Sequence, residues 1–194
     1  MLPYFPDCIQ SFDISVLNWI QEHITNPFCD AVLSFISMLG DYGLLWIVAA
    51  VVMLFFKKTR KTGLMVGAAL ILGLIFGNGI LKNAIGRIRP YDLENAMVTT
   101  PLIHKPSDLS FPSGHSLASF EFATVIFIRD KRFGIPLLIL AALIAFSRIY
   151  FYIHFPTDII CGALLGVVNG ILAALIVNTV WNAVAKRKTT KKLS

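Results

Sequence analysis

Apolar residues run along the chain in blocks, each closed by charge or by turn residues. Residues 31–39 and 44–56 flank Gly40-Asp41-Tyr42-Gly43 and predict two helices in a tight hairpin. Residues 63–81, 115–128, 133–147 and 159–184 predict four more. Several blocks are shorter than the ~20 residues a spanning helix needs, so flanking residues must complete them. Ahead of the blocks, Ile9, Phe12, Val16, Ile20 and Ile24 recur at three- and four-residue steps beside Asp13, Asn18, Gln21 and Glu22. That spacing predicts an amphipathic helix on the membrane surface, with a short soluble cap helix as the alternative. The expected fold is all-α: an integral membrane bundle of six transmembrane helices behind an N-terminal interfacial helix.

Composition supports this class. The chain has 194 residues, 56% of them hydrophobic and 14% charged, where a soluble domain carries roughly 25% charged residues. Mean hydropathy is +0.73. These values exclude a cytosolic enzyme, a disordered chain and a nucleic-acid module. The length suits one domain, expected over 1–185, with a basic tail over 186–194. Cys8, Cys29 and Cys161 are scattered and without CxxC spacing, against both a disulfide framework and a thiolate metal site. Residues 1–7 hold no positive charge and no small-residue cleavage site follows an apolar run, so no cleavable signal peptide is expected.

The net charge of +6 is a topology signal. Lys57, Lys58, Arg60 and Lys61 follow the second block, and Arg129, Lys131 and Arg132 follow the fourth. Lys186, Arg187, Lys188, Lys191 and Lys192 end the chain. With six spans all of these share one side, which the positive-inside rule makes the cytoplasm, both termini included. Gly162, Gly166 and Gly170 recur every four residues, as do Gly63/Gly67 and Gly73/Gly77. Such spacing predicts close helix packing and no chemical role.

Five cations remain: Lys82, Arg87, Arg89, Lys105 and Arg148. All fall at outer helix ends or loops, where the rule predicts depletion, and His115 and His154 join them. Ser113 precedes an apolar run and is a natural N-cap. The amides behind it form an anion-attracting helix start, and Gly114 lets backbone approach a ligand closely. Pro156 suits the first turn of the last helix, so Asp158 can reach back to His154. A carboxylate on one ring nitrogen leaves the other lone pair free for attack. Lys82, Arg89 and Arg148 are donors suited to a tetrahedral oxyanion. Singly each feature is common, but together they describe phosphoryl transfer.

Lys82-x6-Arg89-Pro90, Pro112-Ser113-Gly114-His115 and Ser147-Arg148-x5-His154-x3-Asp158 resemble the three-part signature of the type 2 phosphatidic acid phosphatase (PAP2) superfamily. The resemblance covers nearly the whole chain. It implies six transmembrane helices, no metal or other cofactor, and a phosphohistidine intermediate. His154 resembles the nucleophile, Asp158 its orienting partner and His115 the acid that protonates the leaving oxygen. Lys82, Arg89, Ser113, Gly114 and Arg148 resemble the phosphate cradle. The family often has glycine two residues before the nucleophile, where this chain has Tyr152. With Tyr150, Phe151 and Phe155 it forms an aromatic cluster expected at the membrane interface, as a helix anchor or as the lining of a lipid access slot. Glu121 lies inside a span and should face the bundle or a polar cavity, supporting the site or serving as a protonated structural residue.

The expected protein is therefore a multi-pass cell-membrane enzyme with its active site on the extracytoplasmic side. Its partners would be the bilayer and a membrane lipid substrate, with no nucleic acid. Undecaprenyl diphosphate is the first substrate expected, with phosphatidylglycerol phosphate or phosphatidic acid as alternatives. A non-enzymatic lipid-phosphate binder or transporter is the rival, against which the His115/His154/Asp158 set speaks. The brief outer loop, about residues 83–112, disfavours a soluble substrate.

Overall fold

The computed structural model describes residues 5–100 and 105–193, with side chains through Arg187. Lys188, Lys191, Lys192 and Ser194 of the basic tail thus lie outside the described side chains. Among the described residues the regular structure is helical throughout: α1 (Asp7–His23), α2 (Pro27–Met38), α3 (Leu44–Phe55), α4 (Arg60–Gly73), α5 (Lys82–Ile85), α6 (Gly114–Arg129), α7 (Lys131–Tyr150) and α8 (Pro156–Leu193). A π-helical stretch, Leu74–Leu81, joins α4 to α5.

Local chemistry sets the helix starts. The Asn26 side chain accepts the Cys29 N–H at 2.9 Å, and Pro27 takes the first position of α2. The Asp130 carboxylate accepts the Arg132 N–H at 2.9 Å and starts α7. Ser113 caps α6 as expected, accepting from the Ser116 N–H. Pro156 opens α8.

Helix α6 is the centre of the bundle, packed against both α7 and α8, and α8 also packs on α4. The glycine face expected on the last helix lets α8 pack closely on α6. A Cβ at Gly166 would stand 2.6 Å from the Leu117 carbonyl oxygen, and one at Gly170 would stand 2.9 Å from Thr124 Cβ. Trp46 stacks on Phe122 at 4.7 Å in the main apolar core, with Met65, Val66, Ala69, Val125 and Ala173.

Among the described residues four stretches are long and apolar enough to cross a membrane: Pro27–Phe55, Arg60–Asp92, Lys131–Tyr150 and Pro156–Arg187. The 16 residues of α6 run between two of them. The expected hairpin of 31–39 and 44–56 is corrected here, because both fall in one stretch, Pro27–Phe55. A hairpin would lay α2 beside α3. Instead α2 packs on α7 and α3 packs on α4. Contacts descend the bundle in order: Tyr150 holds Asp30, Arg148 holds Ser37, and Gly40 meets His115 and Ile144. Further down, Trp46 Nε1 donates to Ser119, and Ala50 meets Gly63. Gly40–Gly43 is a bend inside one span.

That correction moves the N-terminus. Helix α1 docks at the end of the bundle where α5 ends and α8 begins, while the end of α8 lies at the other. Helix α1 and the end of α8 thus lie at opposite ends of the bundle, where six spans would have put both chain ends on one side. Helix α1 buries part of the face its spacing suggests, Ile20 with Val16 and Ile24 packed on the same core, and adds polar residues to it. Asp13, Leu17, Ile20 and Gln21 are buried, whereas Phe12 is 56% and Trp19 is 54% exposed. Polar contacts decide the docking: Gln21 Nε2 donates to the Tyr150 carbonyl at 2.7 Å, and Asp13 accepts from Arg87 at 2.6 Å. This is a cap helix with apolar side chains on its free face.

Candidate active site

The unusual cations and both histidines collect at the end of the bundle that α1 caps. The link between α7 and α8, residues 151–155, places His154. Tyr152 in this link has φ of +57°, a left-handed conformation that glycine adopts without strain. Here the cost is offset by burial and by the Tyr152 hydroxyl, which donates to Asn18 Oδ1 of α1 at 2.8 Å. Tyr150, Tyr152, Phe151 and Phe155 are all fully buried beneath α1. The expected interfacial cluster is instead the second core of the protein, and it lines no lipid slot.

His154 is buried and held from both sides. Arg89 Nη1 lies 3.1 Å from its Nε2. A guanidinium can only donate, so Nε2 carries the lone pair and the proton resides on Nδ1. Nδ1 faces Ser110 Oγ at 3.3 Å and Asp158 Oδ2 at 3.5 Å. The Ser110 hydroxyl donates to Asp158 Oδ2 at 2.5 Å, leaving its oxygen able to accept from Nδ1. Burial pushes the imidazole down to about 3, with the neighbouring Asp158 carboxylate only partly opposing it. The ring is therefore neutral at physiological pH, with its lone pair directed toward the cations.

Asp158 is satisfied on every side. Besides Ser110, it accepts the Phe155 N–H at 3.0 Å and Arg87 Nη1 at 2.7 Å. Arg87 bridges Asp158 to Asp13 of α1, and its guanidinium lies between the rings of Phe5 and Phe155 at 3.8 and 3.7 Å. Both carboxylates and the guanidinium are fully buried, so removing one partner would strand the others in low dielectric.

Lys82, Arg89, Gly114 and Arg148, four of the expected phosphate ligands, line one cavity, where a carboxylate occupies two of the cations. Lys82 Nζ and Arg89 Nη2 both hold the Asp108 carboxylate, Arg89 at 2.6 Å, and Arg89 Nε binds the Asp108 carbonyl at 2.8 Å. Burial would raise the Asp108 carboxyl, but the hydrogen bonds from Lys82 and Arg89 outweigh it and hold it at about 2. Arg148 is buried, donates to Ser37 Oγ at 2.6 Å, and has no hydrogen-bond partner for its Nε. A Cβ at Gly114 would meet only Asn78 at 3.8 Å, so the space beside it is open. Ser113 is buried as the helix cap, accepting from Ser116 Oγ at 3.1 Å.

His115 opens α6 with Nε2 at 2.9 Å from Asp41 Oδ1. Lys82, Arg89, Asp108, His115, Arg148 and His154 share a cavity of about 1310 Å³. It continues between α3, α4 and α8 along Leu64, Ile71, Ile176 and Val180 to Ala185 near the opposite end. Glu121 lines its wall, accepting from Asn169 Nδ2 at 2.7 Å.

Lys105 is the one leftover cation that stays apart, paired with Asp92 at 3.2 Å on the surface. Sequence reasoning missed Asp13, Asp41, Asp108 and Ser110 and left Arg87 without a role. Asp108 and Ser110 had a signal in their nearness to Ser113, and Arg87 in its place among the outer cations. Among the described residues no three His, Cys, Asp or Glu side chains group to hold a metal ion.

Comparison with known proteins agrees with the motif. The PAP2 superfamily profile matches residues 62–182, which include all eight expected site residues. The undecaprenyl-diphosphatase of Sulfolobus acidocaldarius is 35% identical over 131 residues, covering 66% of this chain and 62% of that protein. The chain thus spans less than two thirds of that relative's length. The crystal structure of a PAP2-type phosphatidylglycerolphosphate phosphatase from Bacillus subtilis matches with a TM-score of 0.73 and 27% identity, over 90% of this chain and 88% of that one. Aquifex aeolicus LpxE matches with a TM-score of 0.69 and 28% identity, over 84% and 94%.

Proposed function

The chain belongs to the PAP2 superfamily, and from that membership we propose that it is a membrane phosphatase of lipid-linked phosphates or diphosphates acting through a phosphohistidine. The observation that carries this reading is the state of His154: neutral, with Nε2 beside Arg89 and its proton held toward Ser110 and Asp158. A binder or transporter has no need of a nucleophile oriented in this way.

In the proposed reaction a phosphoryl group displaces Asp108 from Lys82 and Arg89 and takes Arg148 as a third cation, with the α6 amides behind Ser113 and Gly114 below it. His154 Nε2 attacks phosphorus and the bond to the leaving oxygen breaks. That oxygen takes a proton from His115. Water then attacks the phosphohistidine while His115 accepts its proton, regenerating the enzyme. The apolar cavity running from the cations toward Ala185 suits a long hydrocarbon tail, which supports undecaprenyl diphosphate as first substrate. Phosphatidylglycerol phosphate is the second reading, favoured by the likeness to the Bacillus subtilis structure.

The chain crosses the membrane five times in this account, through Pro27–Phe55, the stretch from Arg60, α6, α7 and α8. Lys57, Lys58, Arg60, Lys61, Arg129, Lys131, Arg132, Lys186 and Arg187 gather at the end opposite the site, and by the positive-inside rule this supports a cytoplasmic side for that end. Helix α1 then lies at outer headgroup level with Phe12 and Trp19 toward lipid. The test is phosphate release by purified full-length protein from undecaprenyl diphosphate, phosphatidylglycerol phosphate and phosphatidic acid in excess chelator. Release from at least one, abolished by His154→Ala, is expected. No release from any of them would overturn the reading.

A further inference from the structure

Asp41 lies in the bend at Gly40–Gly43, a segment the motif does not include. Three observations make that bend a device aimed at His115. The Asp41 carboxylate meets His115 Nε2 at 2.9 Å. A Cβ at Gly40 would stand 2.7 Å from His115 Cδ2 and 2.8 Å from Ile144 Cγ2, so only glycine lets the bend press on that edge of the ring. Tyr42 and Gly43 are both left-handed, at φ of +54° and +63°. A non-glycine residue held there stores strain that the surrounding structure must sustain.

We propose that Asp41 is a positioning residue that keeps His115 in service as the general acid, an inference that rests on the phosphatase reading above. The bend fixes the Nε2–Cδ2 edge of the ring and leaves Nδ1 to exchange protons with the substrate. In the first step His154 Nε2 forms a bond to phosphorus while the phosphorus–oxygen bond breaks, its electron pair going to the leaving oxygen. That oxygen takes the proton from Nδ1 of the His115 imidazolium, and the remaining proton stays on Nε2 against Asp41. In the second step water loses a proton to Nδ1 as its oxygen bonds to phosphorus, and the nitrogen–phosphorus pair returns to His154.

The charged groups around His115 make the carboxylate necessary. Arg148 faces it from α7 and Arg89 from the segment after α5, while Lys82 and His154 share the cavity. The α6 N-terminus also opposes a cation. Asp158 on α8 is already engaged by Arg87, and Asp108 by Lys82 and Arg89. Asp41 is the carboxylate in contact with the ring, 35% exposed beside a histidine that is 16% exposed.

The test exploits leaving-group basicity. An alkoxide must be protonated as it departs, whereas p-nitrophenolate need not be. Turnover of dodecyl phosphate and of p-nitrophenyl phosphate is followed against pH for the full-length protein, Asp41→Asn and Asp41→Glu. Asp41→Asn is expected to lower kcat for dodecyl phosphate by about 10- to 100-fold and move its alkaline limb down by about one pH unit. KM and p-nitrophenyl phosphate turnover should change less than about threefold, and Asp41→Glu should restore the limb. Equal loss of both substrates, from misfolding or otherwise, or an unmoved limb would overturn the proposal. Failure of the underlying reading looks different: wild-type protein would hydrolyse neither substrate.

Discussion

Replacing Asp108 with asparagine should tighten the binding of inorganic phosphate. The Asp108 carboxylate rests on Lys82 and Arg89, the two cations a phosphoryl group needs, so every oxyanion ligand competes with it. The strength of that contact can be bounded. The carboxyl falls from 3.8 to about 2, which corresponds to roughly 2.5 kcal/mol between its two protonation states. The side chain is 53% exposed, and solvent screening reduces this to about 1 kcal/mol of net attraction. Asparagine retains the shape and loses the charge, while the residue 108 carbonyl still holds Arg89 Nε in place. The inhibition constant of inorganic phosphate, measured against hydrolysis of a lipid phosphate in mixed micelles at pH 7, should therefore fall about fivefold. The gap should narrow at high salt, because the contact is half in water. An unchanged or weaker inhibition constant in Asp108→Asn would refute the competition.

Arg87→Met strands Asp13 and Asp158 as buried carboxylates and should cost about 3–5 kcal/mol, read as a lower unfolding midpoint in detergent; an unchanged midpoint would deny the bridge its structural role. His154, lowered to about 3, stays neutral when folded but takes a proton below about 6.5 when unfolded. The unfolded state thus binds more protons between these values, and stability falls as pH drops through that window by up to about 1.4 kcal/mol per pH unit. His154→Gln should flatten the slope of midpoint against pH between 6 and 4, and parallel slopes would contradict the assignment. For topology, native Cys8 is exposed on α1 at the site end. In a variant lacking Cys29 and Cys161, Cys8 should react with an impermeant thiol reagent in intact cells. A cysteine introduced at Lys58 after removing Cys8 as well should stay silent, and the reverse pattern would invert the proposed orientation.

The grouping of the candidate site residues is more legible in the sequence than the path of the chain. Lys82, Arg89, His115, Arg148, His154 and Asp158 announce themselves because charge at outer helix ends is expensive and short-range spacing fixes which groups can meet. The Ser113 cap and the Pro156 start follow from local rules that need no tertiary information. The bend at Gly40–Gly43 does not, because a glycine-rich tetrapeptide between apolar blocks serves a reversal and a kink equally well. What decides is that α2 packs on α7 and α3 on α4, which is settled only by the assembled bundle. One position of the expected α1 face, Phe12, turns outward for a related reason. Apolar periodicity ranks Phe12 above Asp13, yet the ion pair with Arg87, 74 residues away, outweighs burying a phenyl ring. Asp41, Asp108 and Ser110 are visible as partners only once the loops that carry them are folded back over His115, Arg89 and Asp158.

The central claim is that His154 Nε2 becomes covalently phosphorylated, and rapid alkaline quenching tests it most directly. Full-length protein is mixed with ³²P-labelled lipid phosphate, quenched within milliseconds under conditions that preserve phosphohistidine, and mapped by mass spectrometry. The account predicts label on His154, absent in His154→Ala. Label on any other residue, or label retained by His154→Ala, would contradict it.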